Sequence, residues 1–206
     1  MLLALLWQLA APAGARAERV IVAFGDSLTA GLGVTADAAY PALLEARLRR
    51  EGFDYRIVNA GVSGDTSAGG LRRVEWVLRA RPEIVIVALG ANDGLRGLPV
   101  AALRDNLTSI VARLRAGGAR VLLAGMRLPP NYGEAYTKEF AAAFPAVART
   151  TSAPLLPFLL QGVAGDASLN QPDGIHPNAA GHGVIAELVW RALRPLLTRE
   201  GVGGRI

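Results

Sequence analysis

Three features of this 206-residue sequence predict an α/β fold in which helices cover both faces of a parallel sheet. Short apolar runs rich in Val, Ile and Leu alternate along the chain with longer amphipathic segments. The apolar runs are continuous, without the polar alternation of a half-exposed strand, as expected for strands buried on both faces. No internal repeat or low-complexity linker interrupts the alternation, so a single domain is expected.

Five strands are predicted from the apolar runs. The third gives the strongest signal, because it is rich in β-branched residues and is bounded by Pro82 and Gly90. The fifth is short and weak. In chain order, the predicted strands are 20–24, 56–58, 84–89, 120–124 and 154–158.

Five helices are predicted between and after these strands. The first places Leu43, Leu44 and Leu48 on one face, and the third has Pro99 in its first turn, where the missing N–H costs nothing. In chain order, the predicted helices are 41–50, 71–80, 99–116, 136–149 and 178–197.

Composition excludes several classes of function. The formal net charge is +5 and the pI is near 10.4, which would suit a nucleic-acid-binding protein. However, the 21 Arg and one Lys are scattered and form at most adjacent pairs, whereas a nucleic-acid surface needs clustered basic residues. No nucleic-acid partner is therefore expected. The absence of cysteine excludes disulfides and thiolate metal sites.

The first 17 residues differ from the rest of the chain. An apolar run from Leu2 to Leu9 is followed by Ala15-Arg16-Ala17, which has the form of a signal-peptidase site. The run is too short to span a bilayer, which takes about 20 residues. Residues 1–17 are therefore predicted to be a signal peptide and 18–206 a single domain, periplasmic or secreted, with a cytoplasmic location as the alternative.

Polar residues that suit acyl transfer follow the predicted strands, whose carboxyl ends meet at one edge of a parallel sheet. Ser27 follows the first strand and could be a nucleophile, although serine is also a common helix N-cap. Gly61 and Gly64 follow the second strand and can expose backbone N–H groups. Asn92 follows the third and can donate from its amide. An ordinary turn would explain either segment alone.

Asp173 and His176 lie just before the last predicted helix. A carboxylate three residues upstream of an imidazole can orient the ring as a base. With Ser27 and the donors above, this pair supplies every role that acyl transfer needs. His182, the other histidine, lies within the helix and is expected to pack or face solvent. Two histidines six apart do not share a helix face as metal ligands would, so neither a metal nor a cofactor is expected.

Four segments together resemble the sequence blocks of the SGNH (GDSL) hydrolase family. They are Gly25-Asp26-Ser27-Leu28, 61–64, Gly90-Ala91-Asn92-Asp93 and Asp173-Gly174-Ile175-His176-Pro177. Within the family, 90–97 looks most like the periplasmic multifunctional group with acyl-CoA thioesterase, lysophospholipase and arylesterase activity. The resemblance implies a flavodoxin-like, three-layer α/β/α sandwich with a five-stranded parallel sheet.

By position, the resemblance implies that Ser27 is the nucleophile, His176 the base and Asp173 its orienting partner. The oxyanion hole would consist of the Ser27 and Gly64 N–H groups and the Asn92 side chain. The implied activity is that of a serine esterase or thioesterase acting through an acyl-enzyme on small acyl esters or thioesters. Transient contact with lipids is expected, and no obligate protein partner.

Two loops are expected to line the acyl pocket. The loop after the third strand, 95–98, supplies Leu95, Arg96 and Leu98, and the loop after the fourth, 126–136, supplies Pro130 and Tyr132 among its residues. Their Leu, Pro and Tyr content suits an aliphatic or aryl acyl group, and acyl chains of medium length are expected to be preferred. The alternative is that these residues only pack their own loops.

Other functions remain open at this point. A carbohydrate O-acetylesterase of the same family would share the triad and differ only in its loops. A non-catalytic lipid- or flavin-binding module would have no need for Asp173 and His176 together. A dinucleotide-binding module is disfavoured: 31–36 matches G-x-G-x-x-A but begins seven residues past Phe24, and the second strand ends in Asn59 rather than an acidic residue.

Overall fold

Residues 19–198 are described by a computed structural model, and their five strands form one parallel sheet. The strands are β1 (Val20–Gly25), β2 (Arg56–Gly61), β3 (Ile84–Ala88), β4 (Arg120–Ala124) and β5 (Leu155–Leu156). Their order across the sheet is β2-β1-β3-β4-β5, which is the flavodoxin-like order. The predicted α/β class with five parallel strands is confirmed.

Helices cover both faces of the sheet. They are α1 (Ser27–Ala30), α2 (Tyr40–Arg50), α3 (Ser67–Leu78), α4 (Ala91–Leu95), α5 (Val100–Ala116), α6 (Glu134–Thr151) and α7 (Ala179–Leu193), with 3-10 turns at Pro130–Tyr132 and Arg194–Leu196. On one face α2 packs against α7, and on the other α5 packs between α3 and α6. The sheet and its two helical layers form the predicted three-layer sandwich.

The two central strands explain why their sequences lack polar alternation. Every residue of β1 and β3 is buried, because helices lie against both faces of each strand. Phe24 and Ile86 are fully buried, and burying a side chain of this size contributes about 1.5–3 kcal/mol to folding. The core therefore holds the carboxyl ends of β1 and β3 firmly beside each other.

Several elements differ from the sequence-based prediction. The short helices α1 and α4 were not among the predicted helices, because four or five residues are too few to show helical periodicity. Helix α3 begins at Ser67, four residues before the predicted start, because the Thr66 side chain caps it by accepting a hydrogen bond from the Gly69 N–H (3.2 Å). Strand β5 is only two residues long.

An ion-pair cluster lies at the amino-terminal edge of the sheet. The Glu83 carboxylate accepts hydrogen bonds from Arg19 (2.8 Å to each oxygen) and from the Tyr55 hydroxyl (2.8 Å), and it also pairs with Arg120. These contacts, above all the hydrogen bonds from Arg19, lower the pKa of Glu83 to about 2. Arg19 also donates to the carbonyl oxygen of Thr198 (2.7 Å), so both ends of the described chain meet here.

Among residues 19–198, no helix combines the length and the apolar character needed to cross a bilayer. The predicted signal peptide, residues 1–17, lies outside the described residues.

Candidate active site

The candidate site lies where the chain reverses its direction of travel across the sheet. The connection from β1 leads outward to β2, whereas the next one returns across β1 to β3, so a crevice opens between the carboxyl ends of β1 and β3. Ser27 follows β1 and Asn92 follows β3. A side chain at Gly25 would meet the Thr29 side chain at 2.1 Å and the Ala88 carbonyl oxygen at 2.8 Å, so only glycine allows this tight strand-to-helix junction.

Ser27, His176 and Asp173 are in hydrogen-bond contact. The Ser27 Oγ lies 2.9 Å from His176 Nε2, and His176 Nδ1 lies 2.7 Å from Asp173 Oδ2. Since Nδ1 faces an acceptor, its hydrogen points to the carboxylate, which leaves Nε2 free to accept the serine proton. The structure therefore brings together the three residues predicted as a triad, in an arrangement that suits proton transfer from the serine.

Asp173 also organises its own loop. Its Oδ1 accepts hydrogen bonds from the N–H groups of Ile175 (3.0 Å) and His176 (2.9 Å). These two backbone bonds, and the bond to the His176 ring, lower the pKa of Asp173 to about 2. The Asp173 carboxylate therefore stays ionised at neutral pH.

Asp26 is a buried carboxyl beside Ser27 that the sequence analysis did not single out. Its side chain is 1% exposed and caps α1 by accepting a hydrogen bond from the Leu28 N–H (3.0 Å). Burial raises the pKa of Asp26 to about 6, against the opposing effect of that hydrogen bond. Asp26 thus fixes the start of the helix that carries Ser27.

The three predicted oxyanion donors lie on neighbouring loops. Within residues 19–198, the N–H groups of Ser27 and Gly64 donate to no protein acceptor. Gly64 has φ +79°, a conformation that glycine adopts without strain. The Asn92 amide donates to the Asp65 carbonyl oxygen (3.0 Å), next to Gly64, and lies 3.5 Å from Asp26 Oδ2, next to Ser27.

A buried carboxylate ties two of these loops together. Asp93 is 4% exposed; its Oδ2 accepts the Ser67 N–H (2.7 Å) and its Oδ1 the Ser67 hydroxyl (2.5 Å). The Ser67 oxygen in turn accepts a hydrogen bond from Asn106 (3.0 Å). Because Asp93 follows Asn92 and Ser67 lies three residues after Gly64, this clamp links the loops that carry both predicted donors. The sequence carries no signal for the contact between Asp93 and Ser67 beyond the position of Asp93 beside Asn92.

A cavity of about 540 Å³ opens beside Ser27 and His176. Of the predicted wall residues, Leu95 and Pro130 line it. The rest of the wall is mostly apolar and comes from α1 and from the loops after β4 and β5, including Leu28, Met126, Leu128, Phe158, Leu160 and Ile175. The sequence-based prediction of the wall did not include the loop after β5. This loop also follows a parallel strand, so its start lies at the same edge of the sheet as the other loops of the site.

Three predicted wall residues do not line the cavity: Arg96, Leu98 and Tyr132. Arg96 points to the other side of its loop and donates to the Gly64 carbonyl oxygen (2.8 Å). The Tyr132 hydroxyl donates to the Leu95 carbonyl oxygen (3.2 Å), and the Leu98 side chain is exposed. Arg96 and Tyr132 thus hydrogen-bond to neighbouring loops around the site instead of lining the cavity.

His182 packs in the core away from the cavity. Its Nδ1 accepts a hydrogen bond from the Tyr40 N–H (3.2 Å), and its ring stacks on that of Tyr40 with centroids 6.4 Å apart. The Tyr40 hydroxyl lies 3.0 Å from Thr29 Oγ1 in α1, so His182 supports the helix of Ser27 from behind.

Comparisons with known proteins find relatives over most of the chain. Residues 23–184 match the GDSL-like lipase/acylhydrolase family. The chain is 47% identical to the esterase TesA of Pseudomonas aeruginosa over 88% of its own length and 90% of that protein's, and 35% identical to an arylesterase of Vibrio mimicus (88% and 91%). It is 39% identical to the thioesterase 1/protease 1/lysophospholipase L1 of Escherichia coli K12 (90% and 88%). The crystal structure of TesA superposes with a TM-score of 0.85 at 47% identity, covering 87% of this chain and 100% of the chain in that structure.

Proposed function

The chain belongs to the GDSL-like lipase/acylhydrolase family, and from this premise we propose that Ser27, His176 and Asp173 are the catalytic triad of a serine esterase or thioesterase. The observation that carries the proposal is the unbroken chain of contacts from Ser27 Oγ through the imidazole to the Asp173 carboxylate, at 2.9 and 2.7 Å. A protein that only binds its ligand has no use for this arrangement.

The first step forms an acyl-enzyme. His176 Nε2 takes the proton of Ser27 as Oγ attacks the carbonyl carbon, and the ionised Asp173 stabilises the imidazolium. The carbonyl oxygen becomes an oxyanion, which the Ser27 N–H, the Gly64 N–H and the Asn92 amide would bind. His176 then gives its proton to the leaving alcohol or thiol as the carbon–oxygen or carbon–sulfur bond breaks.

The second step releases the acid. A water molecule takes the place of the leaving group, and His176 accepts its proton as the hydroxyl attacks the acyl carbon. The same donors stabilise the second oxyanion, and Ser27 leaves with the proton held by His176. Neither step requires a metal or a cofactor.

The cavity supports small acyl substrates with an aliphatic or aryl acyl group. Its wall is mostly Leu, Met, Pro, Ile and Phe side chains, and a space of about 540 Å³ is of the size that holds a small organic ligand. Relatives named arylesterase and thioesterase 1/protease 1/lysophospholipase L1 support aryl esters, thioesters and lysophospholipids as classes to test. We propose acyl chains of medium length and transient contact with lipids.

Replacement of Ser27 tests the proposal. Ser27→Ala should abolish hydrolysis of p-nitrophenyl esters and labelling by a fluorophosphonate probe, which reacts with an activated serine. Ser168→Ala, an exposed serine away from the triad, is the matched control. Labelling or turnover that survives in a folded Ser27→Ala protein would reject the assignment, and a wild-type protein that is never labelled would favour a lipid- or flavin-binding module.

A carbohydrate O-acetylesterase is the alternative within the family. The apolar wall favours longer acyl groups, because an acetyl group would leave most of the cavity unfilled. A series of p-nitrophenyl esters of increasing chain length, run beside acetylated sugars, separates the two. Best turnover on acetylated sugars would overturn the preference for medium chains.

The location is a further proposal. We propose that residues 1–17 direct export to the periplasm or beyond and that 18–206 form one hydrolase domain. Amino-terminal sequencing of the protein recovered from the host's periplasm should begin at Glu18. Recovery of the full-length chain from the cytoplasm alone would contradict export.

A further inference from the structure

Three arginines lie on loops and helices at the carboxyl edge of the sheet, and two of them are engaged. Arg73 donates to Asp65 Oδ2 from two nitrogens (2.8 and 2.6 Å). Arg96 donates to the Gly64 carbonyl oxygen (2.8 Å). Arg127 makes no hydrogen bond and no ion pair with any of residues 19–198. Among these three arginines, Arg127 is therefore the one without a hydrogen-bonded or anionic partner in the described part of the chain.

Arg127 is placed in the wall of the acyl cavity. It follows β4 by three residues and lines the cavity together with Phe158, which follows β5. Its guanidinium carbon lies 5.3 Å from the centroid of the Phe158 ring. A guanidinium that stacks on an aromatic face keeps the N–H groups on its perimeter available for a ligand. The stacking thus holds the cation in place and leaves its donors unused.

The rest of the wall cannot neutralise this charge. No Asp or Glu lines the cavity, and apart from Arg127 the one side chain in its lining that can carry a charge is His176. Arg127 is exposed, so its N–H groups are open to an anionic group that enters the cavity from solvent. Arg binds carboxylates and phosphates in particular, through paired N–H donors.

We propose that Arg127 is a binding site for an anionic group, carboxylate or phosphate, on the substrate that Ser27 attacks. This inference rests on the proposed hydrolase function and deepens it by adding charge selection to an otherwise apolar cavity. The anionic group can belong to the acyl part, as a carboxylate at the end of the chain, or to the leaving group, as a phosphate of a thiol or alcohol carrier. Both present the same chemistry to the guanidinium.

Two matched substrate pairs distinguish these sources. For the acyl side, the p-nitrophenyl half-ester of a dicarboxylic acid is compared with the p-nitrophenyl ester of a neutral acid of the same chain length. For the leaving-group side, octanoyl-CoA is compared with the octanoyl thioester of N-acetylcysteamine, which has the same acyl group and thioester bond but no phosphate. The readout is the ratio of kcat/KM for the anionic substrate to kcat/KM for its neutral match, because truncating a wall residue can change both values together.

Arg127→Gln should lower this ratio about three- to tenfold in at least one pair, the size expected for one charge-assisted hydrogen bond near solvent. Arg127→Lys should keep part of the ratio, since the charge remains and the paired donors are lost. Arg113→Gln is the matched control: it removes an equally exposed arginine from the last turn of α5, at the opposite edge of the sheet, and should leave the ratio unchanged.

The wild-type protein provides a test that needs no variant. Raising the salt concentration should lower the same ratio, because mobile ions screen an exposed cation. The proposal is overturned if, in both substrate pairs, the ratio of kcat/KM values stays the same in Arg127→Gln and at raised salt. Turnover of the neutral substrates by the wild type keeps this outcome separate from a failure of the hydrolase function, which would abolish activity on every substrate.

Discussion

The Oγ of Ser27 and the Nε2 of His176 lie 2.9 Å apart although 149 positions separate the two residues in the chain. The contact exists because β1 and the loop before α7 end at the same edge of the sheet. Ser27 sits at the start of a capped helix, and His176 sits in a loop that Asp173 holds by three hydrogen bonds. Both partners are thus fixed before any substrate arrives, as preorganised catalysis requires.

Asp173 has two separable tasks, and two substitutions should distinguish them. Asp173→Asn keeps an oxygen for the N–H groups of Ile175 and His176, but its amide can present a donor to His176 Nδ1 and favour the wrong tautomer. We expect kcat to fall about 10⁴-fold with little change in Tm. Asp173→Ala should lose as much activity and also lower Tm. The assignment fails if Asp173→Asn retains wild-type kcat on p-nitrophenyl esters.

Asn92 should act on the transition state rather than on substrate binding. Asn92→Ala removes one oxyanion donor, so we expect kcat to fall about 10²- to 10³-fold, or about 2.7–4 kcal/mol of barrier, while KM changes little. Steady-state kinetics on one ester gives both values. A rise in KM at constant kcat would mean that the amide binds the ground state and is no part of an oxyanion hole.

Asp93 should support both stability and rate. Asp93→Ala leaves the buried N–H and hydroxyl of Ser67 without their acceptor, so unfolding in urea should show a loss of about 2–3 kcal/mol. Because the clamp joins the loops of Gly64 and Asn92, kcat should also fall about tenfold or more. Asp105→Ala, at an exposed position on α5, is the control and should change stability by less than about 0.5 kcal/mol. Equal effects of the two substitutions would contradict the clamp.

Asp26 should give the stability a defined pH dependence. Its pKa is raised from 3.8 to about 6 in the folded protein, so the folded state takes up this proton at a higher pH than the unfolded chain. The stabilising contribution is complete below pH 3.8 and is lost as pH rises through about 6, where the buried group becomes ionised. A rise of the Asp26 pKa from 3.8 to about 6 corresponds to about 3 kcal/mol in the free energy of unfolding.

Asp26→Asn checks this sign, because the amide oxygen can still cap α1 without carrying a charge. The stability of the variant relative to wild type should be higher at pH 8 than at pH 4 by an amount of that order, measured by urea unfolding at both values. A difference that is the same at the two pH values would show that burial of the Asp26 charge has no effect on folding.

The sequence predicted the sheet well because each buried strand carries its own continuous apolar signal. The run 84–89 is the clearest case, and β3 occupies nearly all of it. Strand β5 was predicted as five residues and has two, because Pro154 and Pro157 flank Leu155 and Leu156 and have no N–H to donate to the sheet. Helix ends depend on single side chains: Thr66 caps α3 before the apolar period begins, and Asn178 caps α7 by accepting the Gly181 N–H (3.1 Å).

The sequence predicted the triad residues of the site, but it did not predict which side chains line the cavity. Ser27 stands at the end of β1, whereas Asp173 and His176 lie in the loop between β5 and α7. The topology brings both segments to the same edge of the sheet. The direction in which a loop side chain points has no such rule. Arg96 and Tyr132 therefore turned out to hydrogen-bond to neighbouring loops, while Arg127 lines the cavity without having been singled out.

The cluster around Glu83 has a practical consequence. Arg19 and Thr198 are held together at the amino-terminal edge of the sheet, opposite the edge that carries Ser27. A carrier or surface attached through either end of the described chain would therefore lie on the side of the molecule away from the active site. The mouth of the cavity would then face outward. Immobilising this hydrolase on a solid support through such a tether should leave its substrates free access to the serine.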